Sequence, residues 1–447
     1  MKRAVCGLAL AFFAVILAFP AAAPLAAQSS APSAPASPVA ASPSANAPPQ
    51  QAYTLPPDKL AKAIAVSRIR HTLDIVSSLW SLVVLWLLLA TRCSAAIEHW
   101  AQRVTQIRWI QGAIFFTAFF VITELAGLPL DAIGQHYERA YAISVQSWAG
   151  WLGDQAKALG VTIVIGGLVL LLFNWIVRRW PRRYWLGVWV VSVPIIVVLI
   201  FLSPLVIDPI FNQFEPLSLH HAELVGKLEQ VVARTGTNVP PDRMYLMFAS
   251  KKYNGLNAYV TGIGATKRIV VWDTTAGRIP DDEVQFVFGH ESGHYVLKHI
   301  PKGIAIYTIA LFFIYWACAS VAAGLVRRFG ARWGAPDLAS RTGFVVLLFT
   351  FFVFLFLLEP ADNTMSRYFE HQADVYGQEA IHGIVPDPQK TAVAAFNALG
   401  EAWLDDPNPS PFIEFWLYSH PSTEHRAEFA MHYDPWANGG HGEFFKN

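Results

Sequence analysis

Six nearly unbroken apolar stretches, near residues 72–91, 110–130, 158–177, 185–207, 303–325 and 342–359, constrain this chain more than any other feature. Each approaches the roughly 20 apolar residues needed to cross a bilayer's hydrocarbon core as a helix. With 54% hydrophobic and only 15% charged residues, the chain reads as a multi-pass membrane protein. Only Asp74, at the end of one span, and Glu124 bring clear acids into these stretches. A transporter or proton pathway usually needs several buried ionisable groups, so that class is disfavoured. Net charge is +1, which gives no reason to expect a nucleic-acid partner, and the 16 tryptophans suit interfacial belts better than base stacking. The three cysteines, Cys6, Cys93 and Cys318, have no CxxC or regular spacing and indicate neither a disulfide framework nor a cysteine metal site.

Ahead of the spans, residues 1–27 carry Lys2 and Arg3, an apolar run and small residues at Ala26 and Ala27. This is the pattern of an export signal, either cleaved or retained as an anchor. An Ala/Pro/Ser-rich linker follows, drawn here as 28–70, whose composition cannot bury enough apolar surface to order itself. Four spans then occupy 71–207, a polar region 208–302, two more spans 303–359, and a polar helical tail 360–447. The polar region predicts an amphipathic helix over 222–234 and strand-like runs at 243–248, 257–261 and 268–272. From Pro280, the acids Asp281, Asp282 and Glu283 form a favourable first turn for a helix through EVQFVFGHESGHYVLKH.

That helix contains the chemistry. His290, Glu291 and His294 fit H-E-x-x-H, which on a helix sets both imidazoles one turn apart on the same face, able to reach one ion. The bland alternative is a pair of ordinary polar histidines on a surface helix. A catalytic zinc site needs a third protein ligand and an open position for water. SRYFEHQADVYG offers Glu370 and Asp374, four residues apart on one helical face. In that arrangement one carboxylate can bind metal while the other hydrogen-bonds a ligand histidine. His371 is a rival ligand, but it points about 100° away from Glu370 around a helix.

GHESGHYVLKH, followed by SRYFEHQAD and SHPSTEHR, resembles the type I CAAX prenyl endopeptidases, polytopic membrane zinc metalloproteases of the gluzincin group. IDPIFNQFEPL (207–217) and NAYVTG (257–262), followed by KRIVVWDTT, agree with the resemblance, which covers roughly 70–430 in the same order. The resemblance implies one zinc per chain on His290, His294 and Glu370, with Glu291 as general base and Asp374 as hydrogen-bond partner of a zinc histidine. It also implies that Asn257, Ala258 and Tyr259 form an edge strand pairing with substrate backbone, and that His420 and Arg426 face the substrate or tetrahedral intermediate. His299 stands where the family often has a histidine and receives no ligand role, because a fourth protein ligand would close the water position.

The fold expected is mainly α: a polytopic membrane bundle of six transmembrane helices plus the N-terminal signal or anchor, with a small α+β zincin-like catalytic domain. The function expected is zinc endopeptidase action on a peptide or protein substrate, including membrane-associated ones, at a lipid bilayer. Two other readings stand against it. A site-2-type intramembrane protease would place the motif inside a span and supply an Asp-Gly third-ligand dipeptide, which the chain lacks. A catalytically weak membrane scaffold or chaperone retaining the fold would have no use for the proton shuttle of Glu291.

Basic residues favour cytoplasmic loops. They gather between spans one and two (Arg92, Arg103, Arg108), three and four (Arg178, Arg179, Arg182, Arg183), and five and six (Arg327, Arg328, Arg332, Arg341). That pattern places the linker, the H-E-x-x-H region and the tail on the periplasmic side of a bacterial inner membrane. Lys59, Lys62, Arg68 and Arg70 oppose it, and a signal acting first overrides them.

Overall fold

The computed structural model describes residues 51–262 and 264–446, so the signal and most of the linker lie outside the described residues. Six helices are long and apolar enough to cross a membrane: α1 (Pro57–Ala90), α3 (Arg108–Ala140), α4 (Trp148–Arg179), α5 (Tyr184–Phe211), α8 (His299–Trp333) and α9 (Arg341–Ile381). The short α2 (Cys93–Val104) lies between the first two. Every expected span coincides with one of these helices, the first running one residue past the helix end at Ala90. The fold is a polytopic membrane helical bundle carrying a small sheet.

Helix α1 begins at Pro57, so residues 57–70, drawn with the linker, are helical. Pro57 sits at the first helical position, where its fixed φ suits the turn and its missing N–H costs nothing. Even residues 51–56 are anchored. Tyr53 and Leu55 are buried, and the backbone N–H groups of Ala52 and Tyr53 donate to the Glu424 carboxylate.

The polar region forms a four-stranded sheet in the order β1-β2-β4-β3. Its strands are β1 (Phe214–Pro216), β2 (Met244–Met247), β3 (Ala258–Thr261) and β4 (Arg268–Trp272). β2 and β4 run parallel, whereas β1 and β3 pair antiparallel at the two edges. The sequence pattern missed β1, whose three residues with Pro216 are too short and polar to show alternation. Amphipathic α6 (Ala222–Thr235) buries Leu224, Val225, Leu228 and Val231 at helical spacing and ends on Gly236, whose φ of 65° suits glycine.

The H-E-x-x-H helix is α7 (Asp281–Val296), buried continuously from Val284 to His294 because α6, β3, α9 and α10 (Pro388–Trp403) surround it. Its closest partner is α9, a 41-residue helix that runs unbroken across the boundary drawn at 359. One rod therefore crosses the membrane and then packs into the part of the fold that carries the sheet. Two glycines permit the approach. A Cβ on Gly293 would stand 2.9 Å from that of Tyr376, and one on Gly377 would stand 2.7 Å from the His290 backbone nitrogen. Such contacts have no room for a side chain.

Candidate metal centre

The α7–α9 contact brings three side chains together. His290, His294 and Glu370 are all buried, and one potential ligand atom from each lies within 4.8 Å of the others. The Nε2 atoms of the two histidines are 3.1 Å apart. Glu370 Oε2 lies 3.2 Å from His290 Nε2, and Oε1 lies 3.5 Å from His294 Nε2. Glu370 Oε2 is buried without a well-angled hydrogen bond, although His420 Nε2 also stands 3.2 Å away. Two imidazole nitrogens facing each other beside a buried, unsatisfied carboxylate oxygen form a donor set that fits a divalent cation such as zinc.

Burial alone would depress the His290 imidazole, but the Asp374 and Glu370 carboxylates outweigh it and push the ring up to about 9. The pocket therefore favours positive charge at its centre. Asp374 Oδ1 lies 2.8 Å from His290 Nδ1, so this ring donates outward and presents Nε2 inward. Asp374 is held in turn by Arg426, which donates through Nε at 2.9 Å and Nη2 at 2.6 Å. This bidentate grip places Arg426 behind Asp374, whereas the family resemblance implies that it faces substrate or the tetrahedral intermediate.

Glu291 is 6% exposed and shares the pocket. Burial raises its carboxyl above the ordinary range, His290 and His294 oppose that rise, and Glu370 adds to it. Its Oε2 accepts a long 3.4 Å hydrogen bond from the Val260 backbone N–H. That contact identifies the direction of the β3 edge. Trp272 N donates to Asn257 O, so by antiparallel alternation Tyr259 and Thr261 also pair toward β4, leaving the backbone groups of Ala258 and Val260 directed at the cleft. Asn257 precedes the strand and exchanges backbone hydrogen bonds with the Thr275 hydroxyl. The Tyr259 hydroxyl turns to Met247 Sδ, 3.8 Å away. Of the three residues expected at this edge, Ala258 has the backbone position suited to pairing, and Val260 joins it.

His420 lies in the loop between α11 (Pro411–Leu417) and α12 (Thr423–His432). Arg367 fastens the loop by donating to the carbonyls of Glu414 and Tyr418, and Ser422 caps α12. The His420 side chain is 35% exposed, so it reaches from Glu370 into open space. His371 is exposed and its ring packs on Phe429, outside the His290, His294 and Glu370 cluster. His299, however, touches His294. Its five-residue spacing gave no helical signal because the chain turns at Lys298, where φ is 59°.

Comparisons with known proteins bear on the family of the whole chain. The pattern of peptidase family M48 matches residues 218–434, and that described as "CAAX prenyl protease N-terminal, five membrane helices" matches 39–213. The Bacillus subtilis "Uncharacterized metalloprotease YhfN" is 35% identical over 377 residues, covering 84% of this chain and 86% of its own. CAAX prenyl protease 1 of Saccharomyces cerevisiae is 28% identical over 339 residues, 71% of each chain. The crystal structure of S. mikatae Ste24p superposes with a TM-score of 0.72 over 84% of this chain and 89% of that one; at 23% identity this likeness concerns the fold. With the two patterns tiling the membrane and catalytic parts in order and a 35% identical relative aligned along most of both chains, this chain belongs to peptidase family M48 and is an integral membrane metalloprotease.

Proposed function

We propose that the chain is a zinc endopeptidase that cleaves extended segments of protein substrates, with zinc held by His290, His294 and Glu370 and Glu291 as general base. The observation that carries this reading is the convergence of those three side chains beside Glu291 and under the free edge of β3. When bound, zinc supplies a Lewis acid that polarises the scissile carbonyl and acidifies water. The chain's own groups do the rest. The Ala258 and Val260 backbone groups hydrogen-bond an extended peptide and lay it across the pocket. Glu291 takes the proton of the attacking water and passes it to the leaving amine, a task suited to a carboxyl whose proton affinity burial has increased. His420, exposed beside Glu370, donates to the developing oxyanion. Arg426 is a positioning residue, acting through Asp374 on His290.

Purified in detergent, the protein is expected to cleave an unstructured peptide, to stop when 1,10-phenanthroline removes the metal, and to recover on addition of zinc. Unchanged cleavage after complete metal removal would overturn the reading.

We further propose that the site faces the periplasm of a bacterial inner membrane. Tyr53 is buried in the catalytic core, and the α3–α4 loop pairs with that domain, Val145 N donating to Lys252 O at 2.9 Å. The start of α1 and the site therefore share one side, and the arginine-rich loops around 92–108, 178–183 and 327–341 share the other. Positive loops stay cytoplasmic. Alkaline phosphatase fused after Asn447 should be active; an inactive fusion with a fluorescent cytoplasmic reporter at the same point would reverse the orientation.

A further inference from the structure

Zinc requires a particular tautomer from each histidine, and the two ligands are controlled differently. His290 is governed by the carboxylate of Asp374. His294 has no acid behind it among the described residues; its Nδ1 instead lies 3.0 Å from Nδ1 of His299. His299 is fully buried at the first position of α8, stacked on Phe369 of α9 at 4.5 Å and 16°. Its Nε2 lies 3.2 Å from Gln372 Oε1, while Gln372 Nε2 donates to the Tyr368 hydroxyl at 3.3 Å.

Hydrogen-bond polarity runs one way along this chain. The Gln372 amide oxygen, an acceptor only, faces His299, and its amide nitrogen donates to the Tyr368 hydroxyl. His299 must then carry its proton on Nε2, and its neutral ring has a lone pair on Nδ1. That nitrogen accepts from His294 Nδ1–H, so His294 is left with a lone pair on Nε2, the atom beside Glu370. The same contact shows why His299 is not a fourth ligand: the nitrogen nearest the site is spent on the outer side of His294.

We propose that His299 is a positioning residue for the metal centre, which, with Gln372 as its anchor, fixes the tautomer and ring plane of His294. The consequence is architectural. His294 stands on α7, His299 opens the fifth membrane helix and Gln372 lies on the sixth, so the packing of two membrane helices sets the orientation of a zinc ligand. This inference rests on the ligand set proposed above.

The test is zinc affinity, measured by competition with a chromophoric chelator on the full-length protein in detergent. His299→Phe keeps a ring to stack on Phe369 but cannot accept from His294, and should bind zinc about 10- to 100-fold more weakly. Gln372→Leu should weaken binding in the same direction, and Gln372→Glu, which still accepts from His299, should restore it. A purely structural role would not predict that rescue. Wild-type affinity in folded His299→Phe would overturn the proposal; should that variant fail to fold, wild-type affinity in Gln372→Leu would do so. If the wild type itself binds no zinc, the ligand assignment fails first.

Discussion

Glu291→Gln is expected to keep its zinc and lose peptide hydrolysis by about 10²- to 10⁴-fold in kcat, the range associated with removing a positioned general base. The amide is nearly the same size and can still accept the Val260 N–H through its oxygen, so the pocket has little reason to rearrange. What disappears is the ability to take a proton from water. Neither His290 nor His294 can substitute if both present their Nε2 lone pairs to the metal. Metal content and turnover should therefore separate, with zinc near one per chain by elemental analysis and cleavage of an unstructured peptide close to background. Full activity in this variant would remove Glu291 from the mechanism.

Glu370→Ala is the complementary case, because it should cost the metal itself. Its carboxylate is the only acid within reach of both histidine Nε2 atoms among the described residues, and removing it leaves two neutral rings to hold a dication. The loss of affinity should exceed the roughly 10- to 100-fold typical of losing an outer hydrogen-bond partner. His420→Ala should behave differently although His420 Nε2 is only 3.2 Å from the same carboxylate. Its exposed ring is assigned to the oxyanion, so this variant should retain zinc and lose about 10²- to 10³-fold in kcat. Elemental analysis alongside steady-state kinetics separates the two outcomes. An empty site in His420→Ala would move His420 into the ligand set and force the roles to be reassigned.

Much of this was legible in one dimension because the signals are periodic or compositional. Hydrocarbon thickness sets span length, so apolar runs report six membrane helices directly, and helical pitch places His290 and His294 on one face. The acidic first turn at Asp281–Glu283 marked the start of α7 correctly. Element ends were harder to read. Residues 57–70 are polar enough to resemble linker, yet they are helical, with Ala63 and Val66 buried in the catalytic core. The boundary at 359 marks where hydrophobicity falls, whereas α9 continues because its backbone hydrogen bonds do not depend on whether lipid or protein surrounds them.

By itself, then, the sequence determined a six-span membrane protein, the histidine pair with its glutamate, and a candidate region for the third ligand. Each follows from chemistry repeated at a local period. Tertiary structure decided the relations between distant residues: Glu370 against His290 across a glycine-mediated helix contact, Arg426 behind Asp374, and Val260 at the free strand edge. It also placed His299 behind His294 by a turn of the chain at Lys298, where no helical spacing applies. A side chain's role depends on which neighbour occupies its open hydrogen-bonding face, and apart from His299 those neighbours here lie tens of positions away along the chain, where no local pattern can specify them.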